Sequence, residues 1–304
     1  MTTRITPRTA LLMTLPPLLW AGNAVVGRLT VGSVPPLTLN FLRWAIAALF
    51  LLPLGWRVLR EPRAVMQRWP YLLAIGLLGV GTYNALQYLA LVTSTPINVT
   101  LIAASLPVWM LAVGAMFHHE HPSRRQLVGA ALSVAGVLIV IARGDLAALA
   151  RVHFVVGDLY VLVAIIAWAF YSWLLVRPSE SMRGSARPDW NWAEFLLVQT
   201  LFGLLGAAPA ALGETLAGAA PIEWNGWVVA ALVYVAVGPS IIAYRCWGLG
   251  VTHAGPALAA FFGNLTPLFA ALLSAAVLGE APRAFHALAF ALIVAGIVVS
   301  SRRR

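Results

Sequence analysis

The sequence predicts an all-α polytopic membrane protein in which ten transmembrane helices form two inverted five-helix repeats. Hydrophobic residues make up 61% of the 304 residues and charged residues only 10%, which is the composition of an integral membrane protein. Apolar runs of about 20 residues, the length needed to cross a bilayer, recur at short intervals. The pattern from Pro96 to Gly136 also returns from Pro256 to Gly296, so the chain contains one segment twice.

The two copies of this segment align without a gap at an offset of 160 residues. Each copy begins at a proline, has a second proline near its middle, and ends in Glu-x-Pro before another apolar run. The matched residues are Pro96 and Pro256, Pro107 and Pro267, Glu120 and Glu280, Pro122 and Pro282, and Val134-Ala135-Gly136 with Val294-Ala295-Gly296. A gapless match of this kind indicates a duplication. We assign residues 1–150 to the first repeat and residues 151–304 to the second.

Ten apolar runs define the expected helices 1 to 10, each long enough to cross the hydrocarbon core. We place them at residues 10–29, 36–56, 69–91, 97–117, 124–142, 157–176, 192–212, 226–247, 256–278 and 284–300. The first run is full length and lacks a persuasive cleavage site, so we interpret it as a transmembrane helix rather than a signal peptide. The short loops leave no room for an extramembrane domain.

The distribution of arginine predicts the orientation of the chain. Four arginines (Arg28, Arg143, Arg151 and Arg283) lie on one side, Arg43 and Arg245 lie inside helices, and the other fourteen of the twenty lie on the side of the N-terminus. Arginine-rich loops stay in the cytoplasm, so both termini are expected there. Because each repeat has five helices, an odd number, the second repeat must cross the membrane upside down relative to the first.

Composition also bears on other classes of protein. The formal charge of +10 comes from arginines in short loops, where they act as topology determinants, so the lipid bilayer is the expected partner and nucleic acid is not. The chain has no lysine and a single cysteine, Cys246, which excludes a P-loop lysine, a Schiff base and an internal disulfide. The run His118-His119-Glu120-His121 does not complete His-Glu-x-x-His, because Ser123 occupies the last position. We therefore expect no cofactor and no metal, and we do not predict an enzyme.

Several motifs together resemble a known family. Leu19-Trp20-Ala21-Gly22-Asn23 in helix 1, Glu-x-Pro after helices 4 and 9, and a repeat of five helices resemble the drug/metabolite transporter superfamily, EamA type, and most closely the YddG-type aromatic amino-acid exporters. The resemblance implies a cell inner (plasma) membrane exporter of small metabolites. It also implies a central cavity built mainly from helices 1, 3, 4, 6, 8 and 9, with helices 5 and 10 at the periphery.

Polar and aromatic residues at mid-membrane depth are the candidate substrate-binding residues, since polar groups in hydrocarbon usually face a wet cavity. They are Trp20, Asn23, Tyr83, Asn84, Gln87, Tyr88, Asn98, Ser105, Trp109, Trp168, Tyr171, Tyr244 and Asn264. For the three tryptophans, cavity lining and ordinary helix packing both stay open. Trp247 and the other tryptophans near helix ends are interpreted as interfacial belt residues.

Such a set suits export of aromatic or large neutral amino acids by alternating access. The alternatives are a multidrug or other metabolite exporter of the same fold and an intramembrane enzyme. Asp158 and Glu194 lie near helix ends and no carboxylate is expected at mid-membrane depth, so proton coupling and facilitated export both stay open. The oligomeric state and the exact substrate also stay open.

Three further features of the sequence lead to predictions. Pro107 and Pro267 each free a helix carbonyl, and they predict hinges or binding-site backbone, or else static kinks relieved by a neighbouring side chain. Arg43 either extends towards the membrane surface or meets a substrate carboxylate. Glu120 and Glu280 are expected to cap helices 5 and 10.

Overall fold

The computed structural model describes residues 6–94, 96–151, 153–278 and 283–301. Ten helices in these ranges are long and apolar enough to cross a membrane, which confirms the predicted number. Six are continuous: helix 1 (Pro7–Leu29), helix 2 (Pro36–Gly55), helix 5 (Arg124–Ile141), helix 6 (Val156–Val176), helix 7 (Trp192–Leu216) and helix 10 (Ala284–Ser301). Short helical turns at Trp56–Arg60, Pro62–Met66, Leu146–Arg151, Glu180–Met182 and Gly184–Ala186 lie in the loops.

The other four helices are interrupted. Helix 3 comprises Trp69–Gly76, Leu77–Thr82 and Tyr83–Thr93; helix 4 comprises Pro96–Ala103 and Leu106–His118; helix 8 comprises Gly226–Val235, Ala236–Ile242 and Ala243–Ala254; and helix 9 comprises Pro256–Gly263 and Leu265–Leu278. These four helices are among the six that the family resemblance implies as the walls of the central cavity.

The breaks in helices 4 and 9 lie just before the two predicted prolines. Helix 4 breaks at Ala104 and Ser105, and helix 9 breaks at Asn264. Proline lacks the N–H that continues the helix ladder, so carbonyls near each break need other donors. The side-chain amide of Asn264 donates to the carbonyl of Ala104, with an N–O distance of 3.3 Å. These two residues are 160 apart, so the breaks of the two repeats meet each other at equivalent positions.

Helices 3 and 8 each contain a π-helical turn, which the sequence analysis missed. The turns, Leu77–Thr82 and Ala236–Ile242, lie at nearly the same offset of 160 residues. In helix 8 the cause is Pro239, because it cannot donate to the carbonyl of Val235. That carbonyl accepts instead from the hydroxyl of Ser240 at 2.7 Å. Such turns widen a helix locally and are frequent at functional sites.

Helices 5 and 10 pack closely through small residues. A Cβ on Gly129 would lie 2.7 Å from the carbonyl oxygen of Gly296, and one on Gly136 would lie 2.8 Å from that of Ala289. Residue numbers rise along helix 5 as they fall along helix 10, so these equivalent helices run antiparallel. Small residues at such a contact allow the two backbones to approach closely.

This contact predicts a position-dependent response to the same mutation. We expect Gly136→Ala to lower the free energy of unfolding by about 1–3 kcal/mol, because the new methyl group meets backbone and forces the helices apart. Gly213→Ala in helix 7 is the matched control, since no atom lies within 4 Å of its added Cβ. It should leave stability unchanged or raise it by up to about 1 kcal/mol. Thermal unfolding in detergent measures both, and equal effects would contradict the close contact.

Helix 8 is longer than predicted. It ends at Ala254 rather than at residue 247, because the chain leaves the helix at Gly255 with φ of 87°, a conformation that favours glycine. His253, which the predicted ranges leave between helices 8 and 9, therefore lies in the last turn of helix 8. The same error placed Trp247 at a helix end, whereas it lies in the interior of the helix.

The predicted cap of helix 5 is wrong. Ser123 is the N-cap: its hydroxyl accepts from the backbone N–H of Gln126 at 3.2 Å, and the Gln126 side chain accepts from the backbone N–H of Ser123 at 2.8 Å. This capping box supplies partners for backbone N–H groups at the start of helix 5 that have no partner within the helix, so Glu120 is not needed as a cap. Glu120 instead forms an ion pair with Arg177 at the end of helix 6. Its counterpart Glu280 lies outside the described residues.

Candidate functional site

Six aromatic residues pack together near the middle of helices 1, 3, 6 and 8, and we call them the aromatic cluster. Trp168 contacts every other member, with ring centroids 5.3 Å from Trp20, 4.5 Å from Tyr83, 4.8 Å from Tyr171, 5.2 Å from Tyr244 and 5.5 Å from Trp247. The Trp20 and Trp168 rings meet edge to face at 89°, a favoured geometry. The cluster places indole and phenol groups in the interior of the bundle, and four of its members, Trp168, Tyr171, Tyr244 and Trp247, are at most 3% exposed.

A buried arginine lies beside the aromatic cluster. Arg43 of helix 2 is 0% exposed and donates to four neutral side chains, which together form the Arg43 network. The bonds run from Nε to Ser240 Oγ (2.5 Å), and from Nη1 to Asn84 Oδ1 (2.8 Å), Tyr88 Oη (3.0 Å) and Asn23 Oδ1 (3.3 Å). The side chain therefore points into the bundle, and the interpretation that it extends to the membrane surface is wrong.

The network and the cluster are joined by one hydrogen bond. The amide nitrogen of Asn84 donates to Tyr244 Oη at 3.1 Å, and Tyr244 in turn donates to the carbonyl of Gly79 in the π-helical turn of helix 3. Trp20 Nε1 donates to the carbonyl of Pro239 in the corresponding turn of helix 8, at 3.2 Å. Both π-helical turns thus present carbonyl groups to the aromatic side chains at the centre.

Two crevices approach this centre from opposite faces. A crevice of about 360 Å³ opens on the face where helices 6 and 8 end, and it reaches Tyr171 and Tyr244. A crevice of about 290 Å³ opens on the other face, where helices 1, 3 and 7 end, and it reaches Tyr88. The hydrogen-bonded chain Tyr88–Arg43–Asn84–Tyr244 therefore runs from one crevice to the other.

A third and wider cavity lies on the face where helices 4, 6, 8 and 10 end. Its volume is about 1070 Å³, and its walls include Glu120, Arg124, Arg177 and Trp173. The Glu120–Arg177 ion pair lies at its rim with both side chains about half exposed. Exposed pairs of this kind contribute at most about 1 kcal/mol, so the ion pair is a weak contact between helices 4 and 6.

The family of the chain follows from comparison with known proteins. The EamA-like transporter family matches residues 7–142 and again residues 155–302. The chain belongs to this family. It is therefore a multi-pass membrane transporter of the drug/metabolite transporter superfamily.

Individual relatives of this EamA-like transporter are similar along almost the whole chain. An uncharacterized transporter from Archaeoglobus fulgidus is 28% identical over 299 residues, which cover 98% of each chain. The aromatic amino acid exporter YddG from Ancylobacter novellus is 27% identical over 298 residues, which cover 93% of each chain. A crystal structure of a protein 23% identical in sequence superposes with a TM-score of 0.76 over 97% of this chain and 96% of that one, and this likeness shows the fold.

Most of the predicted site residues of this EamA-like transporter come together in the structure. The aromatic cluster and the Arg43 network contain Trp20, Asn23, Tyr83, Asn84, Tyr88, Trp168, Tyr171 and Tyr244. Gln87 lies one helical turn from Tyr83 and donates to its hydroxyl at 3.1 Å. The i, i+4 pairs Tyr83–Gln87 and Asn84–Tyr88 of helix 3 therefore both face the centre.

Four predicted residues lie away from this centre. Asn98 donates to Asp158 Oδ2 at 2.7 Å and joins the start of helix 6 to helix 4. Ser105 donates to the carbonyl of Ile102 within the break of helix 4, at 2.6 Å. Asn264 bonds the equivalent break and Ser133 of helix 5. Trp109 is half-buried, and within the described residues it has no ring contact with the aromatic cluster. The substrate-binding role of all thirteen residues stays a prediction.

The breaks before Pro107 and Pro267 bear on the predicted hinges. The Ala104 carbonyl beside Pro107 accepts from a side chain of helix 9, which is the arrangement expected of a kink relieved by a neighbour. The bond also ties the two breaks together, so movement at one would be transmitted to the other. A hinge at these prolines stays a prediction.

Sequence reasoning missed three residues of the centre. Trp247 was assigned to the interfacial belt, yet it is 1% exposed and donates to Ser172 Oγ at 3.0 Å. Trp44 packs on Tyr244 with ring centroids 4.8 Å apart. Ser240 binds Arg43 next to a mid-helix proline. The signal for Ser240 was present, because Pro239 interrupts the apolar run of helix 8 as Pro107 and Pro267 interrupt those of helices 4 and 9.

Proposed function

We propose that this EamA-like transporter exports aromatic or large neutral amino acids across the cell inner membrane by alternating access. The observation that carries the proposal is the position of the aromatic cluster and the Arg43 network. They adjoin each other at mid-membrane depth, and crevices from the two faces end on them. A substrate that binds there would pass from one crevice to the other when the surrounding helices move.

The aromatic cluster suits an apolar side chain. The ring centroid of Trp168 lies 5.3 Å from that of Trp20 and 4.5 Å from that of Tyr83. The planar group of a substrate could take the place of one of these rings and form the same kind of aromatic contact. The indole N–H of Trp168 is buried and has no hydrogen-bond partner among the described residues. It is therefore a donor available to a bound ligand. The relative named as an aromatic amino acid exporter supports the same substrate class.

Polar groups around the cluster suit the ammonium group of an amino acid. The amide nitrogen of Gln87 donates to Tyr83, which leaves its amide oxygen as an acceptor, and the faces of the tryptophan rings attract cations. The carbonyls of Gly79 and Pro239 face the same region in the π-helical turns. A neutral zwitterion would thus meet both apolar and polar groups, whereas a purely apolar drug would leave the polar groups unsatisfied.

An inverted duplication supports alternating access. Helices 5 and 10 meet antiparallel, and two hydrogen bonds, Asn84–Tyr244 and Asn264–Ala104, join residues 160 apart. Such contacts are expected where a two-fold axis passes between the repeats. Two inverted repeats have two near-equivalent packings that open to opposite sides. With the arginine distribution, this arrangement favours both termini in the cytoplasm.

Counterflow in proteoliposomes tests the proposal. Vesicles preloaded with unlabelled L-phenylalanine should accumulate labelled L-phenylalanine faster than protein-free vesicles, and L-tryptophan and L-leucine should compete. L-alanine and L-glutamate should compete weakly, because neither carries a large apolar group. Repeating the assay with and without an imposed pH gradient separates proton-coupled export from facilitated export.

The same assay separates the alternatives. Trp224→Phe is the matched control, since Trp224 is exposed, at 61%, near the start of helix 8, and it should transport like the parent protein. Counterflow of a labelled cationic dye in the absence of counterflow of any amino acid would favour the multidrug alternative. Absence of counterflow for every amino acid would reject the proposed substrate class.

A further inference from the structure

Arg43 carries a positive charge in a place where a charge is unfavourable. Its side chain is 0% exposed and lies about 10 Å along helix 2 from Pro36, at 1.5 Å per residue. A buried ion is tolerated when a counter-ion and hydrogen bonds compensate for lost hydration. The structure supplies the hydrogen bonds to Nε and Nη1 but leaves Nη2 without a partner among the described residues.

No described carboxylate forms an ion pair with Arg43. The acidic residues within the spans are engaged at helix ends. Asp158 accepts from Ser94, Asn98 and the backbone N–H of Val155. Glu194 accepts from the backbone N–H of Asn191, and Glu214 accepts from the first backbone N–H groups of helix 2. Within the described chain, then, Arg43 is a cation surrounded by neutral oxygens.

One side chain separates this cation from a crevice. Tyr88 lines the crevice that opens between helices 1, 2, 3 and 7, and its hydroxyl lies 3.0 Å from Arg43 Nη1. The hydroxyl donates to Asn23 Oδ1 at 2.8 Å. The Tyr88 hydroxyl can move away from Arg43 without leaving the guanidinium unpaired, because Asn23, Asn84 and Ser240 still accept hydrogen bonds from it. A rotation of the Tyr88 side chain, with Asn84 of the same helix still in place, would therefore open the guanidinium to a ligand.

From this geometry we propose that Arg43 is the recognition site for a carboxylate group of the transported molecule. The carboxylate binds Nη2 and supplies the missing negative charge, and a planar guanidinium is well matched to it. The inference deepens the proposed function and rests on it: the α-carboxylate of an amino acid binds Arg43 while its side chain lies against the aromatic cluster. Asn84 and Tyr244 join the two parts of this composite site.

A ligand series on the parent protein provides the first test. L-phenylalanine, L-phenylalaninamide and phenethylamine share one aromatic group and one ammonium group, and only the first carries a carboxylate. We expect counterflow of L-phenylalanine to exceed that of the amide by about tenfold or more, the effect of a hydrogen bond between charged groups. Equal transport of all three would overturn the proposal.

Variants of Arg43 provide the second test. Arg43→Gln should reduce the ratio of phenylalanine to phenylalaninamide transport by about tenfold or more, and Arg43→Lys should restore part of it because the charge returns without the planar fork. A purely structural role would reduce transport of both ligands and leave the ratio unchanged. Arg60→Gln is the control, since Arg60 is an exposed arginine stacked on Trp56 in a loop, and its ratio should equal that of the parent.

Binding to the purified parent protein keeps the test decisive if the Arg43 variants do not fold. 3-Phenylpropionate should raise the thermal midpoint at concentrations where 3-phenylpropionamide does not. Such a shift, together with no amino-acid counterflow, would reject the proposed function and retain the carboxylate site. Amino-acid counterflow with an unchanged ratio of phenylalanine to phenylalaninamide transport in Arg43→Gln would retain the proposed function and reject the carboxylate site. A requirement for chloride in the transport of acid and amide alike would assign the guanidinium to a resident chloride ion and overturn the proposal.

Discussion

Replacing Asn23 with aspartate is expected to stabilise this transporter and to block its export of carboxylates. Both hydrogen bonds of Asn23 in the Arg43 network use its side-chain oxygen: it accepts from Tyr88 Oη at 2.8 Å and from Arg43 Nη1 at 3.3 Å. Aspartate preserves both bonds and adds the negative charge that Arg43 lacks. The bond to Arg43 already exists in the parent protein, so the gain is the difference between a neutral and a charged acceptor, and we expect the free energy of unfolding to rise by about 1 kcal/mol.

Loss of transport follows from the same change. An internal carboxylate beside Arg43 would neutralise the guanidinium and compete with the carboxylate of the substrate. We expect counterflow of L-phenylalanine to fall about tenfold or more, while phenylalaninamide is affected less. Chemical denaturation in detergent and the counterflow assay measure the two effects on the same preparation.

Asn264→Asp is the matched control for Asn23→Asp. Asn264 is also buried, but both of its hydrogen bonds use the amide nitrogen, which donates to the carbonyl of Ala104 and to Ser133 Oγ. Aspartate would lose both donors and place its oxygen against the carbonyl oxygen. It should destabilise the protein by about 1–3 kcal/mol. If Asn23→Asp lowered the free energy of unfolding as much as Asn264→Asp, the result would contradict the inference that Arg43 lacks a counter-ion.

Replacing Trp168 with alanine is expected to lower the free energy of unfolding by about 3–5 kcal/mol, as for other buried aromatic residues. Trp168 is 0% exposed and contacts the rings of all other members of the aromatic cluster. Inside a membrane the loss is one of packing rather than of burial from water. The cavity left behind would adjoin four helices, and the surrounding rings cannot all collapse into it.

Trp168→Ala should also reduce L-phenylalanine counterflow. The fractional loss of counterflow should be larger than the fraction of the protein that is unfolded. Trp168→Phe retains one aromatic ring and removes the pyrrole ring with its unpartnered N–H, so it should lose less stability than Trp168→Ala while it still lacks the donor to a ligand. Trp224→Ala is the exposed control and should change stability by less than about 1 kcal/mol. A similar loss for Trp168→Ala and Trp224→Ala would show that the cluster is not a packed centre.

Much of the fold could be predicted from the sequence because its signals are local. Apolar runs as long as the bilayer is thick marked ten helices, and the breaks before Pro107 and Pro267 followed from the missing proline N–H. The end of helix 8 was placed too early, at residue 247, although the helix continues through Gly248 and Gly250 to Ala254 and ends at Gly255. That error alone moved Trp247 from the centre to the interfacial belt.

The candidate site depended on contacts that no local signal specifies. Asn98 and Asn264 were grouped with Asn23 and Asn84 because all four are amides within apolar runs, yet only Asn23 and Asn84 bind Arg43. Their side chains differ in the rotation and height of their helices within the bundle. Those quantities are set by packing between distant segments, such as Gly129 against Gly296.

The sequence alone therefore determined the membrane class, the number of helices and the positions of the proline breaks, and it predicted the repeat. Each of these follows from residue type and spacing along one chain segment. Only the tertiary structure decided that Arg43 lies buried among neutral oxygens and that Trp168 lies at the centre of an aromatic cluster. Both facts require five helices to meet at defined rotations, and side-chain contacts change with small rotations that leave the apolar pattern of each helix unaltered.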